Sequence, residues 1–107
     1  MSHIMEKESA DFVVNALLNV LLAKEESYDH RGWNHGDLVT HLCSLVGITV
    51  VGDDFSREPI LPHPKKKTET YWSFRVGTPI FEALRLIQGF SGWHMFPTTR
   101  GELSYYR

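Results

Sequence analysis

Two periods of apolar and polar positions run along this chain, one helical and one alternating. From about Ser9 to Glu26, Asp11, Asn15 and Asn19 fall at i, i+4 and i+8 and form one narrow polar stripe in an otherwise apolar stretch. That pattern predicts a helix over the whole stretch. A helix so apolar cannot face water over half of its surface: it is either central to the core or half buried in a partner, and part of it is expected to be an intermolecular surface. Its interface candidates are Phe12, Val13, Leu17 and Leu21.

Ser27 to Asn34 is a polar connector, and Asn34 is placed to cap a second helix, with Asp37 in its positive first turn. That helix is expected from about His35 to Leu45, with Leu38, Val39, Leu42, Leu45 and Val46 on the apolar face and Gly47 as its C′ residue. Ile48 to Val51 then reads as a short β-branched strand. Periodicity is lost from Gly52 to Thr68, where Pro59, Pro62, Pro64 and the run Lys65-Lys66-Lys67 predict a long loop. Loops of that length in compact domains are uncommon unless they bind something or move.

The pattern sharpens again from Tyr71 to Val76, which is strand-like in its aromatic and β-branched content. Thr78 as N-cap and Pro79 at N1 predict a third helix, with Ile80, Phe81, Ala83, Leu84, Ile87 and Phe90 apolar, Arg85 and Gln88 outward, and Gly89 and Gly92 closing it. Gly92 to Phe96 and Glu102 to Arg107 are expected to form a hairpin through Thr98–Gly101. Spacing repeats between the two helix–strand joints: Val39, Leu42, Gly47, Ile48 and Val50 correspond to Leu84, Ile87, Gly92, Trp93 and Met95. A duplicated unit and the ordinary look of any Gly-ended helix docked on a sheet both explain this. The expected fold class is α+β: two N-terminal helices, then a small sheet with a strand–helix–hairpin unit, in the order α-α-β-β-α-β-β.

Length, charge and chemistry narrow the function classes. The 107 residues make one domain. Residues 1–8 are expected to be a disordered start or a cloning remnant, residues 9–107 the single domain, and about 52–68 its long loop. The break at Arg107 inside a strand pattern suggests a piece of a longer protein. A net charge of −2 gives no electrostatic footprint for nucleic acid, and Lys65, Lys66 and Lys67 are the one local basic run. These lysines are a solvated loop face or a contact for an acidic partner, and they count as interface candidates. A single cysteine, Cys43, excludes an internal disulfide, and no apolar run is long enough to span a membrane.

His30, His35, Asp37, His41 and Cys43 are metal-ligand types close in sequence, yet they lack the spacing of a zinc helix or knuckle. On a helix, His41 and Cys43 point about 160° apart. Cys43 belongs to the apolar face near a helix C-terminus, where a thiol is a small hydrophobe rather than a nucleophile. Asp53-Asp54 and Glu25-Glu26 read as solvated pairs, so no enzyme, cofactor or metal is expected. Nucleic-acid binding is the rival: the helix and hairpin from Thr78 to Arg107 have the order of a winged helix, but a strand stands where the preceding helix belongs. Trp72, Phe74, Trp93, Tyr105 and Tyr106 are either a stacking surface for single strands or core residues.

Thr78-Pro-Ile-Phe-Glu-Ala-Leu-Arg-Leu-Ile-Gln-Gly-Phe-Ser-Gly-Trp93, followed by the Gly-containing hairpin, resembles a small domain of bacteriophage tail and baseplate hub proteins. Gly36-Asp-Leu-Val-Thr-His-Leu-Cys-Ser-Leu-Val-Gly-Ile48 resembles the segment that precedes it there, and Val13-Val14 to Leu18 its opening helix. From Val76 to Gly92 the chain is also similar to a secretin N-domain-like module. The tail resemblance implies a non-catalytic structural module, working by contacts with other structural subunits and as a homo-oligomer. Its implied location is the virion tail, or the host cytoplasm during assembly. A nucleic-acid-binding domain stands as the alternative.

Overall fold

The computed structural model describes residues 13–27, 32–61 and 72–107. Phe12, His30 and the run Lys65–Lys67, all singled out above, lie outside these residues, as does most of the Pro-rich stretch beyond Leu61. Residues 13–18 are helical and belong to α1. β1 (Glu26–Ser27), α2 (His35–Ser44), β2 (Val50–Gly52), β3 (Ser73–Phe74), α3 (Ile80–Ser91), β4 (His94–Pro97) and β5 (Leu103–Tyr106) follow. The α+β class is thus the observed one, with a strand between the first two helices that the sequence pattern did not show.

The predicted first helix is too long. The chain turns at Asn19, and residues 20–22 run extended against the approach to α3: Leu22 N–H donates to Thr78 O (2.9 Å), Gly77 N–H to Leu22 O (2.9 Å) and Ile80 N–H to Val20 O (3.0 Å). Leu21 pairs with Pro79 in an isolated antiparallel bridge, and Glu26 and Ser27 pair with Phe74 and Ser73 farther along the same ribbon. Apolar content all round suits a helix as well as a buried ribbon, and tertiary pairing decides between them.

The same ribbon moves the start of α3. Thr78 was expected to cap it, but Pro79 is the N-cap, extended at φ −65° and ψ 142°, and no side chain caps the helix. Val20 O takes the Ile80 N–H instead, so one orphan donor of the first turn is satisfied by main chain rather than by a hydroxyl. Gly89 lies inside α3, and Gly92 alone closes it. At the start of α2 the sequence reading holds in full. Asn34 Oδ1 accepts from Asp37 N–H (2.9 Å) while Asp37 Oδ2 accepts from Asn34 N–H (3.0 Å), a reciprocal capping box.

Three strands form the main sheet in the order β2-β5-β4, with β2 parallel and β4 antiparallel to β5. Leu103 and Tyr105 point inward onto α2 and α3, and with Leu38, Leu42, Leu84 and Ile87 they are fully buried. His94, Phe96 and Tyr106 lie on the opposite face, where the Tyr106 ring meets Phe96 edge-on at 5.6 Å. Gly52 at the end of β2 permits close strand approach, because a Cβ there would overlap the Tyr105 carbonyl. Past β2 the first part of the expected loop is docked: Asn34 Nδ2 donates to Phe55 O (2.7 Å), Leu61 N–H to Trp33 O (2.7 Å), and Leu61 is buried.

Candidate protein-interaction surface

Apolar side chains left outside the core gather where the ribbon passes the end of α2. Val20, Leu21, Leu22, Ala23, Leu45, Val46 and Ile80 line a groove of about 370 Å³, with Lys24 and Glu26 also contributing to its wall. Leu21 is 56% exposed and Leu45 43% exposed, while Leu22 and Ile80 reach the groove from the core. Leu45 was expected on the inner face of α2; it falls past the last helical residue and turns outward. Phe90, assigned to the inner face of α3, is also more than half exposed and rests edge-on against Trp72 at 4.9 Å.

The interface candidates read from a single helix face are therefore spread over two elements. Val13 lies on α1 and is 51% exposed; Leu17, on the same helix, is partly buried against the core. Leu21 leaves that helix altogether and belongs to the ribbon. Phe12, Lys65, Lys66 and Lys67 fall outside the described residues.

A second cluster, buried rather than open, was not legible in sequence. His35 opens α2 and points inward, where Nδ1 lies 2.8 Å from Tyr105 Oη and Nε2 lies 3.0 Å from Glu58 Oε1. Tyr105 Oη is also 2.9 Å from Ser91 Oγ, and Ser91 Oγ accepts from Trp93 N–H (3.1 Å). One proton arrangement serves every contact: Trp93 N–H to Ser91, Ser91 O–H to Tyr105, Tyr105 O–H to His35 Nδ1, and His35 Nε2–H to Glu58. Arg107 closes the chain of contacts at 3.5 Å from Glu58 Oε2.

The hydrogen bond from His35, aided by the Arg107 charge, holds the Glu58 carboxyl below its usual range. Burial pushes the Tyr105 phenol up, against the opposing bond from Ser91. His35 is only 4% exposed and both ring nitrogens already face protein partners. The arrangement is chemically a clamp: it ties α2, α3, β5 and the segment after β2 together through satisfied bonds. The one sequence signal for it was the position of His35 in the same helical series as Leu38, Val39 and Leu42.

Cys43 is fully buried, and burial alone pushes its thiol up to about 12, so it packs as a small apolar group. Among the described residues no three His, Cys, Asp or Glu side chains come together as a metal site, and no helix is long and apolar enough to cross a membrane. Of the aromatic residues considered for stacking, Phe74, Trp93 and Tyr105 are buried in the core. Comparison with protein-family models, with curated proteins and with solved structures finds no match for this chain.

Proposed function

We propose that this chain is a non-catalytic assembly module that works through protein–protein contacts. The observation that carries the reading is the apolar groove beside Leu21, where Val20, Leu21, Ala23 and Leu45, left exposed by the fold, meet the core residues Leu22 and Ile80. Apolar side chains gathered in one exposed concavity, rather than scattered singly over the surface, support a partner surface. The resemblance of Gly36–Ile48 and of the α3 segment to tail and baseplate hub domains supplies the setting: a structural part of a phage tail or injection machine. Parts of that kind act by burying apolar surface in symmetric assemblies.

Sedimentation equilibrium from about 1 µM to about 1 mM covers the affinity range of such contacts. Concentration-dependent mass is the expected result. A chain that stays monomeric and instead binds DNA in a salt-dependent way, with binding lost on neutralising Lys65–Lys67, overturns the reading in favour of a nucleic-acid-binding domain.

A further inference from the structure

α3 has no cap of its own and borrows one from the ribbon. Ile80 N–H donates to Val20 O, and Leu22 is bonded through both main-chain groups, its N–H to Thr78 O and its C=O by Gly77 N–H. Between them Leu21 bridges Pro79, the N-cap residue, whose carbonyl accepts the first-turn amides of Glu82 (3.0 Å) and Ala83 (3.3 Å). No side chain takes part in this start. α2 differs, since Asn34 and Asp37 close its first turn from within that turn. Among the described residues, the main chain from Val20 to Glu26 makes its bonds beyond α1 with residues 73–80 alone.

We propose that the ribbon is a latch on α3: residues 20–22 and the first turn of the helix open and close as one unit, separately from the core. When the ribbon leaves, Ile80 N–H and Thr78 O lose their partners together, and the buried Ile80 side chain loses Val20 and Leu22 beside it. An uncapped first turn then has nothing local to hold it. Opening uncovers Leu22 and Ile80, while Val20 and Leu21 are already about half exposed. Unfolding the whole chain uncovers the fully buried Leu38, Leu42, Leu84, Ile87 and Leu103 as well, so the latch belongs to the less stable part of the fold. Both halves of the latch line the apolar groove, Val20, Leu21 and Leu22 from the ribbon and Ile80 from the helix. Thr78, Glu82 and Arg85 line a second concavity with Ser73 and Arg75. Filling the groove therefore holds the latch shut and orders the second concavity, and the coupling runs equally in reverse. The latch lies within one chain and does not depend on the assembly reading.

The test is native-state hydrogen exchange of the whole chain in rising, sub-denaturing urea, read at the amides of Leu22, Gly77, Ile80 and Ala83 against that of Leu42. The four are expected to share one opening isotherm, with protection about tenfold or more below that of Leu42. Leu21→Gly loosens the ribbon at a side chain that is already exposed, and it should speed all four by one common factor of about two to five. Asn34→Ala removes the cap of α2; it should speed Leu42 about fivefold and leave the four at their wild-type rates. Ile80 and Ala83 on an isotherm apart from Leu22 and Gly77, or unmoved by Leu21→Gly, would show that α3 holds its own start and overturn the latch. Four amides that merge with Leu42, or speed up with it in Asn34→Ala, would show that the ribbon opens only with the whole fold and overturn it too.

Discussion

α2 with β2 and α3 with β4 are two helix–strand units whose caps and buried positions correspond, although α2 has 10 residues and α3 has 12. Asn34 and Pro79 take the N-cap places; His35, Leu38, Val39 and Leu42 are buried in one unit as Ile80, Ala83, Leu84 and Ile87 are in the other. Gly47 and Gly92 end the joints at φ 76° and 73°, and the next residues, Ile48 and Trp93, are both buried. After α2, Gly47 N–H bonds to Ser44 O and Ile48 N–H to Cys43 O, the paired closure of a Schellman turn. The units differ where neighbours differ. α2 starts on its own side chains, α3 on the main chain of the ribbon; β2 runs parallel to β5 and β4 antiparallel to it. Equal local packing patterns thus accept opposite strand directions, because a buried helical face sets what must be covered and not which way the cover runs.

Tyr105 on the central strand joins the two units, since its hydroxyl meets the first residue of α2 and the last residue of α3. The largest effects should show the units as energetic equals. Leu42→Ala and Ile87→Ala each remove a fully buried side chain and are expected to cost about 2–5 kcal/mol apiece in urea unfolding. Costs differing several-fold would show that one unit is packed loosely and end the equivalence.

Next in size is the bridge between them. Tyr105→Phe keeps the ring and leaves His35 Nδ1 and Ser91 Oγ short of a partner, at a cost of about 1–3 kcal/mol. Combined with Ser91→Ala, which also takes the acceptor from Trp93 N–H, the total should be less than the sum of the two single costs. Strict additivity of the two changes would mean that the hydroxyls do not couple.

The helix starts give a smaller but sharper contrast. Asn34→Ala breaks the capping box and is expected to cost about 1 kcal/mol. Thr78→Ala should be close to neutral, because no side chain caps α3. A Thr78 effect as large as that of Asn34 would place the cap back where its sequence position suggested.

The smallest expected effect is a pH dependence carried by Glu58, which follows β2 and is held by His35 of the first unit together with Arg107 and Trp93. The folded-state pKa of Glu58 is depressed, chiefly by the bond from His35. Its contribution to stability is therefore present above the ordinary carboxylate range and is lost as pH falls through the folded value. Urea midpoints for the wild type should decline in acid more than those of Glu58→Gln. Parallel curves would remove Glu58 from the clamp.

Much of the two units was legible in sequence because their signals are local. The Asn34 to Asp37 spacing, the Gly-ended helices and the apolar series at i, i+3 and i+4 each act over a single turn. The ribbon was not legible, since Val20 to Ala23 reads as helix or strand by composition. Its partner at Gly77 to Ile80 also lies far along the chain. The candidate surface was half visible for the same reason: Leu21 was marked as exposed, but on a helix that ends before it.

By itself, the sequence determined that this chain has two Gly-terminated amphipathic helices, an α+β class and more apolar surface near its start than one small helix can hide. Only the tertiary structure decided that the excess lies on a ribbon beside a groove, that β2 runs parallel to β5, and that His35, Glu58, Ser91 and Tyr105 meet. Capping and periodicity are short-range interactions written in neighbouring residues. Strand pairing and polar clamps join residues tens of positions apart, and their energy appears only once the chain has closed on itself.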